Sequence, residues 1–189
     1  MDELALRRLP DAIRDMPDLA VALKFDHALS DIIKRIGDKS EYAVRKAIDE
    51  VGNKTKTQVI RAVAQQAGVK VGRARAVIRS TQAMGAGSGV YTIIARDVTM
   101  SLKEFGPRQT AKGVSAAPWR KRQVFNHTFT GPGGHVFVRE GKARLPIRKL
   151  WGPAIPKEMT KDVAEETFFA TVDAMLPAAV EKWLMRQVK

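Results

Sequence analysis

Residues Gly134–Pro156 read GHVFVREGKARLPIRKLWGPAIP. Val136 to Arg139 is a short apolar run, Glu140-Gly141 can turn the chain, and Lys142 to Leu150 runs back, which together predict a hairpin. The Gly-Pro and Ile-Pro pairs that follow predict a stiff, extended exit, because proline lacks an N–H and restricts the residue before it. The returning arm carries Lys142, Arg144, Arg148 and Lys149 and no acid. Arg144, Pro146 and Arg148 alternate with Leu145 and Ile147, so only one narrow face is apolar. These residue types suit a surface that holds a partner rather than a catalytic constellation.

Upstream, VYTIIARDVTM (90–100) is rich in β-branched residues and predicts a strand, broken by Phe105-Gly106-Pro107. Gly113 to Ala116 and Arg122 to Phe129 predict two more strands, and GPGGH (131–135) a turn at a hairpin tip. Earlier still the period is helical. Asp18 is the expected N-cap of a helix marked by Leu19, Leu23, Leu29, Ile32, Ile33 and Ile36, and Gly37-Asp38 ends it. Ser40 is the expected cap of a second helix over about 41–66, striped by Val44, Ala47, Ile48, Val51, Thr55, Val59 and Val63 and ending at Gly68. Gly52 should weaken it by roughly 1 kcal/mol relative to Ala. A short helix over about 71–80 and a flexible MGAGSG link (84–89) lead to the strands. Glu158 to Gln187 predicts a closing helix, kinked or split at Pro177. Helices, then a run of antiparallel strands, then a helix define an α+β fold. The expected organisation is an N-terminal helical extension (1–40) and an α+β domain (41–189) with a hairpin arm at about 131–156.

Charge is concentrated in the middle of the chain. Of a formal +13, residues 54–150 supply 19 Lys/Arg against 3 Asp/Glu, while residues 1–53 and 151–189 are each slightly acidic. Such a block suits a polyanion or an acidic protein surface. With no cysteine, disulfide and thiolate chemistry are excluded. The acids of MDELALRRLP stand where a secretory signal needs bases, and no run reaches the length of a membrane span, so a cytoplasmic site of assembly and no membrane partner are expected.

VIRAVAQQAGVKVGRARAVIR (59–79) has the outline of a helix-turn-helix, whose second helix would carry Arg73, Arg75 and Arg79 to a DNA groove. It offers no Asn, Gln or Ser at the start of that helix to read base edges. MGAGSG lacks the Lys-Ser/Thr ending of a phosphate loop. His27, His127 and His135 show no metal-ligand spacing, and no Ser or Cys pattern marks a hydrolytic triad. No enzyme activity, metal or cofactor is expected.

VFVREGKARLPIRKLWGPAIPKEM (136–159) resembles the signature of the minor tail protein Z family of tailed phages and the tail-completion family found with it in prophages. AQQAGVKVGRARAVIR (64–79) is similar to the basic helix bend that precedes the strands there, so the resemblance covers about 45–185. Its sharpest part is Arg144, Leu145, Pro146, Ile147, Arg148 and Lys149, then Trp151, Gly152 and Pro153, then Ile155-Pro156. The resemblance implies a structural virion protein at the head-proximal end of a tail, needed for tail completion, head–tail joining or DNA delivery. Its implied partners are copies of itself in a hexameric ring and neighbouring neck, tail-terminator or tail-tube proteins. The expected subunit interface comprises Lys142, Arg144, Leu145, Pro146, Ile147, Arg148, Lys149, Trp151, Pro153 and Pro156. Arg73, Arg75, Arg79, Arg120, Lys121 and Arg122 are the expected contacts to packaged DNA or an acidic partner. The alternative is a non-enzymatic DNA-binding protein using the basic 54–150 block and the 59–79 segment.

Overall fold

The structure is a computed structural model that describes residues 37–85 and 89–188. The expected N-terminal extension and its helix capped by Asp18 lie, up to Ile36, outside the described residues. The architecture is α+β. In chain order it comprises α1 (Asp38–Ala67), α2 (Val71–Val77), β1 (Ile78–Thr81), β2 (Thr92–Ala95), β3 (Thr99–Ser101), β4 (Arg108–Thr110), β5 (Gly113–Ala116), β6 (Gln123–Asn126), β7 (Thr128–Thr130), β8 (Val136–Arg139), β9 (Ile147–Lys149), β10 (Trp151–Ala154), α3 (Ile155–Met159) and α4 (Asp162–Val188). Short 3-10 turns cover Leu102–Phe105, Pro118–Arg120 and Pro132–Gly134.

The chain divides into two compact units. The first takes its described residues from the stretches ending at Val59, Ile78–Ile94 and from Glu165 onward; the second is Ile60–Val77 with Ala95–Ala164. In the first unit, Ala43, Ala47, Ile48, Val51 and Thr55 of α1 are buried at helical spacing, as are Phe168, Val172, Leu176 and Val180 of α4. Glu50 ties the two helices: its carboxylate accepts from Lys182 Nζ at 2.8 Å and Trp183 Nε1 at 2.9 Å. Gly52 sits beneath the ring of Tyr91. A Cβ there would stand 2.5 Å from Cδ2 and 2.6 Å from Cδ1 of that ring, and closer to Cγ. The cost in helix propensity is therefore what lets a buried aromatic reach the helix backbone. Tyr91 OH completes the contact by donating to Asn53 Oδ1 at 2.9 Å. Asp49 accepts from the backbone N–H of Ala83 at 2.6 Å, which holds the chain after β1.

In the second unit, β4, β5 and β6 form one antiparallel sheet with β5 central, and every β5 residue is buried. β7, β8 and β9 form another, in that order, and β10 pairs antiparallel with β3. The chain leaves α1 through Gly68, whose φ of +76° only glycine adopts readily. A Cβ there would also lie 2.8 Å from the Arg120 backbone nitrogen.

Several boundaries differ from the sequence reading. α1 begins at Asp38, so Ser40 sits inside its first turn, where its hydroxyl donates to Gly37 O at 2.6 Å. The second helix stops at Val77, and Ile78–Thr81 is a strand. The strand expected at 90–100 is two strands interrupted at Arg96–Val98, and that expected at 122–129 is broken at His127, whose φ is +58°. α4 runs through Pro177 without a split. The exit after the hairpin is no free extended tail. Trp151 stands opposite Ser101 and Ala154 opposite Thr99, and Pro153, Ile155 and Pro156 are buried.

Candidate functional site: the basic hairpin and the cleft beside it

The β8–β9 hairpin sits in the second unit. Phe137, Val138 and Arg139 stand opposite Lys149, Arg148 and Ile147. Glu140 N donates to Pro146 O at 3.2 Å and Leu150 N to Val136 O at 2.9 Å. Antiparallel alternation then makes Arg148 a hydrogen-bonded partner of Val138, and turns the N–H and C=O of Ile147 and Lys149 toward the outer edge. β9 ends its sheet, so that edge is unpaired within the unit.

Residues 141–148 joining and forming the returning arm are all exposed, with Leu145 at 67%. The loop holds its shape locally: Arg139 Nη1 donates to Arg144 O at 3.0 Å, and Arg148 Nε lies 3.4 Å from Glu140. Lys142 and Arg144 have no carboxylate partner among the described residues. Of the expected interface set, Lys142, Arg144, Leu145, Pro146, Ile147 and Arg148 thus form one exposed surface, joined at its base by half-buried Lys149 and exposed Trp151. Pro153 and Pro156 are buried and act inside the subunit, because β10 and α3 have recruited them.

The expected DNA-contact residues are scattered. Arg73 and Arg75 lie on α2, Arg79 on β1, in the other unit, and Arg120 ends the turn after β5, with Lys121 and Arg122 following it. α2 has seven residues, too short to be the recognition helix that the 59–79 outline suggested, and Arg79 is not on it. Arg73 is engaged by Glu104 at 3.0 Å, and Arg122 donates to the carbonyls of Gly106 and Ser115, each at 3.4 Å. Trp119 and Arg120 both adopt positive φ, at 52° and 58°, a strained pairing for non-glycine residues. The strain is held by Glu158, 3% exposed, which accepts from Trp119 Nε1 at 3.1 Å and Gln66 Nε2 at 2.9 Å and pairs with Lys161 at 3.1 Å. Burial pushes the Glu158 carboxyl up, but the bonds from Trp119, Gln66 and Lys161 outweigh it and hold the group below its ordinary value.

Sequence reasoning missed a cleft of about 260 Å³ lined by α2, β3, the Leu102–Phe105 turn, His135, Lys149 and Trp151. Ser101 Oγ lies 2.9 Å from His135 Nδ1 there. The ring's pKa is lowered, first by burial and then by Lys149 and Lys103, with Glu104 opposing. No carboxylate bonds its Nε2 among the described residues. Lys149 Nζ stands 4.2 Å over the Trp151 ring. No sequence signal joins Ser101 to His135. The contact exists because β10 pairs with β3 while the turn of the local β7–β8 hairpin carries the histidine, and the β10–β3 pairing is non-local. Among the described residues there is no group of three or more potential metal ligands, and no helix is long and apolar enough to cross a membrane.

Comparison with protein-family models, with curated proteins and with solved structures finds no match.

Proposed function

We propose that this chain is a non-enzymatic structural subunit of a phage virion, placed at the head-proximal end of the tail. There it forms a ring with copies of itself and completes the tail for head joining or DNA delivery. The resemblance of residues 136–159 to tail-completion proteins motivates the reading. The observation that carries it is the exposed, acid-poor loop of the β8–β9 hairpin. Lys142, Arg144 and Arg148 surround an apolar tip at Leu145, beside a strand edge at Ile147 and Lys149 that is unpaired among the described residues. An exposed edge with a cationic flank is a template for an extended, acidic segment of a neighbouring subunit, with main-chain bonds giving affinity and charge giving register. Head-to-tail contacts of this kind close into rings when the rotation allows. Its other neighbours would be neck, tail-terminator or tail-tube proteins, with Arg75, Arg120 and Lys121, all exposed, available to packaged DNA. Assembly would take place in the host cytoplasm.

The test is the triple variant K142S/R144S/R148S, introduced into the phage or prophage that carries the gene. The subunit should keep its melting temperature, since exposed substitutions usually cost under about 0.5 kcal/mol each. Lysates should then contain heads and tails that fail to join. Normal particles from a virus carrying all three changes would refute the docking role.

A further inference from the structure

The cleft beside the hairpin gathers polar side chains from separate stretches of the second unit. Arg73 comes from α2, Lys103 and Glu104 from the turn after β3, Ser101 from β3 itself, His135 from the β7–β8 turn and Lys149 from β9. Three cations face one carboxylate. Glu104 is held by Arg73 at 3.0 Å, while Lys103 and Lys149 have no carboxylate partner among the described residues. The excess is two positive charges in a concave space of about 260 Å³. Ser101 Oγ and the imidazole add short-range polar contacts, and Trp151, 52% exposed, borders the opening.

We propose that this cleft binds a phosphate group. Two unneutralised ammonium groups and the free N–H groups of a guanidinium match a phosphate, with its several acceptor oxygens. A single side-chain carboxylate would leave one of the two charges unbalanced. The aromatic border suits a phosphate whose next group is planar, because an exposed indole is a stacking platform for a base. The phosphate could come from a nucleic-acid backbone or from a small phosphorylated molecule. The proposal does not depend on the ring reading.

The experiment follows the His135 imidazole by NMR in the full chain. An anion held among Arg73, Lys103 and Lys149 favours the protonated ring, so inorganic phosphate should raise the His135 pKa by about one unit. Once phosphate's own second ionisation is accounted for, linkage makes a given phosphate species bind about tenfold more tightly to the protonated ring than to the neutral one. Equal ionic strength of sodium chloride should leave the ring unchanged. In K103Q/K149Q, whose fold is checked by its amide spectrum, the phosphate response should be lost. R73Q with Lys103 and Lys149 intact should weaken it, which guards against a folding failure of the double variant. Two further arms separate the sources. A short single-stranded oligonucleotide that shifts His135 and quenches Trp151 at lower concentration than phosphate identifies a nucleic-acid backbone. Response to phosphate or a mononucleotide, with none to the oligonucleotide, identifies a small molecule. No His135 response to up to 20 mM phosphate, or a response equal to that of chloride or undiminished in both variants, overturns the site.

Discussion

Replacing Gly52 by Ala sets two physical effects of opposite sign against each other. In an isolated helix the change is favourable by roughly 1 kcal/mol, because alanine loses less backbone entropy and propagates the helix. In this fold the new methyl would meet the Tyr91 ring at 2.5–2.6 Å from Cδ2 and Cδ1, where carbon atoms ordinarily rest at about 3.5–4.0 Å. The ring cannot swing into solvent cheaply. It is 2% exposed, and its hydroxyl donates to Asn53 Oδ1 at 2.9 Å. Overpacking of this kind costs about 1–3 kcal/mol, and retreat of the ring forfeits about 1 kcal/mol more with the hydrogen bond. After the propensity gain, G52A should be destabilised by about 1–3 kcal/mol, a fall in melting temperature of about 2–12 °C for a chain of this size. Calorimetry or circular dichroism melts read it directly. In a Tyr91→Ala background the same change should become neutral or stabilising, because the obstacle is gone. A stabilised G52A in the wild-type background would refute the close approach and leave only the propensity argument standing.

Other outcomes follow from the charged clamps and the hairpin. Glu50 is held at a pKa of about 2, against an ordinary 4.5, by hydrogen bonds from Lys182 first, then Trp183 and Lys54. A depressed carboxylate stabilises the fold above its unfolded pKa, and that stability is lost as pH falls through the folded value. Wild type should therefore exceed Glu50→Gln by about 1–2 kcal/mol at neutral pH, allowing for solvent screening, and the gap should close between about pH 4.5 and 2. A gap that persists unchanged at pH 2 contradicts the assignment. Glu158→Gln should cost about 2–3 kcal/mol, because the buried acceptor for Trp119 and Lys161 loses its charge. With Trp151 and Trp183 changed to Phe, emission from Trp119 should shift to the red, and an unshifted spectrum means that the strained turn needs no clamp. Gly68→Ala should destabilise by about 1–2 kcal/mol, since it combines a positive φ with backbone contact at Arg120; a thermal melt within 1 °C of wild type would contradict this.

The parts of the fold that sequence made legible are those whose determinants are local. Gly113–Ala116 was bounded by turn chemistry on both sides, and β5 occupies those four residues. The α1 stripe at Ala47, Ile48, Val51 and Thr55 marked a buried face, and Gly68 marked its end. Val136–Arg139 announced β8 for the same reason. What escaped was non-local. Trp-Gly-Pro-Ala reads as a proline-stiffened exit, yet its pairing with Thr99–Ser101 makes it a strand, and no period inside residues 151–154 encodes that partner. Val77-Ile78 could continue a helix or start a strand, and the pairing of β1 with β2 decided it. Gly52 carried a helix penalty whose reason, the Tyr91 ring, lies 39 residues away in sequence. Of the candidate surfaces, the basic hairpin was legible because its charge is consecutive in sequence. The cleft was not, because its lining comes from four separate stretches of sequence.

The proposed role, a ring subunit of a phage tail end docked through its basic hairpin, can be tested on the virion itself. The most direct measurement is a cryo-EM reconstruction of intact particles from a host that produces this protein. Density for the chain is expected near the head–tail junction, in a closed ring with six copies around the tail axis, and with the Lys142–Arg148 loop seated on an acidic neighbour. Particles that lack the chain, or that hold it with the loop facing open solvent, would contradict it.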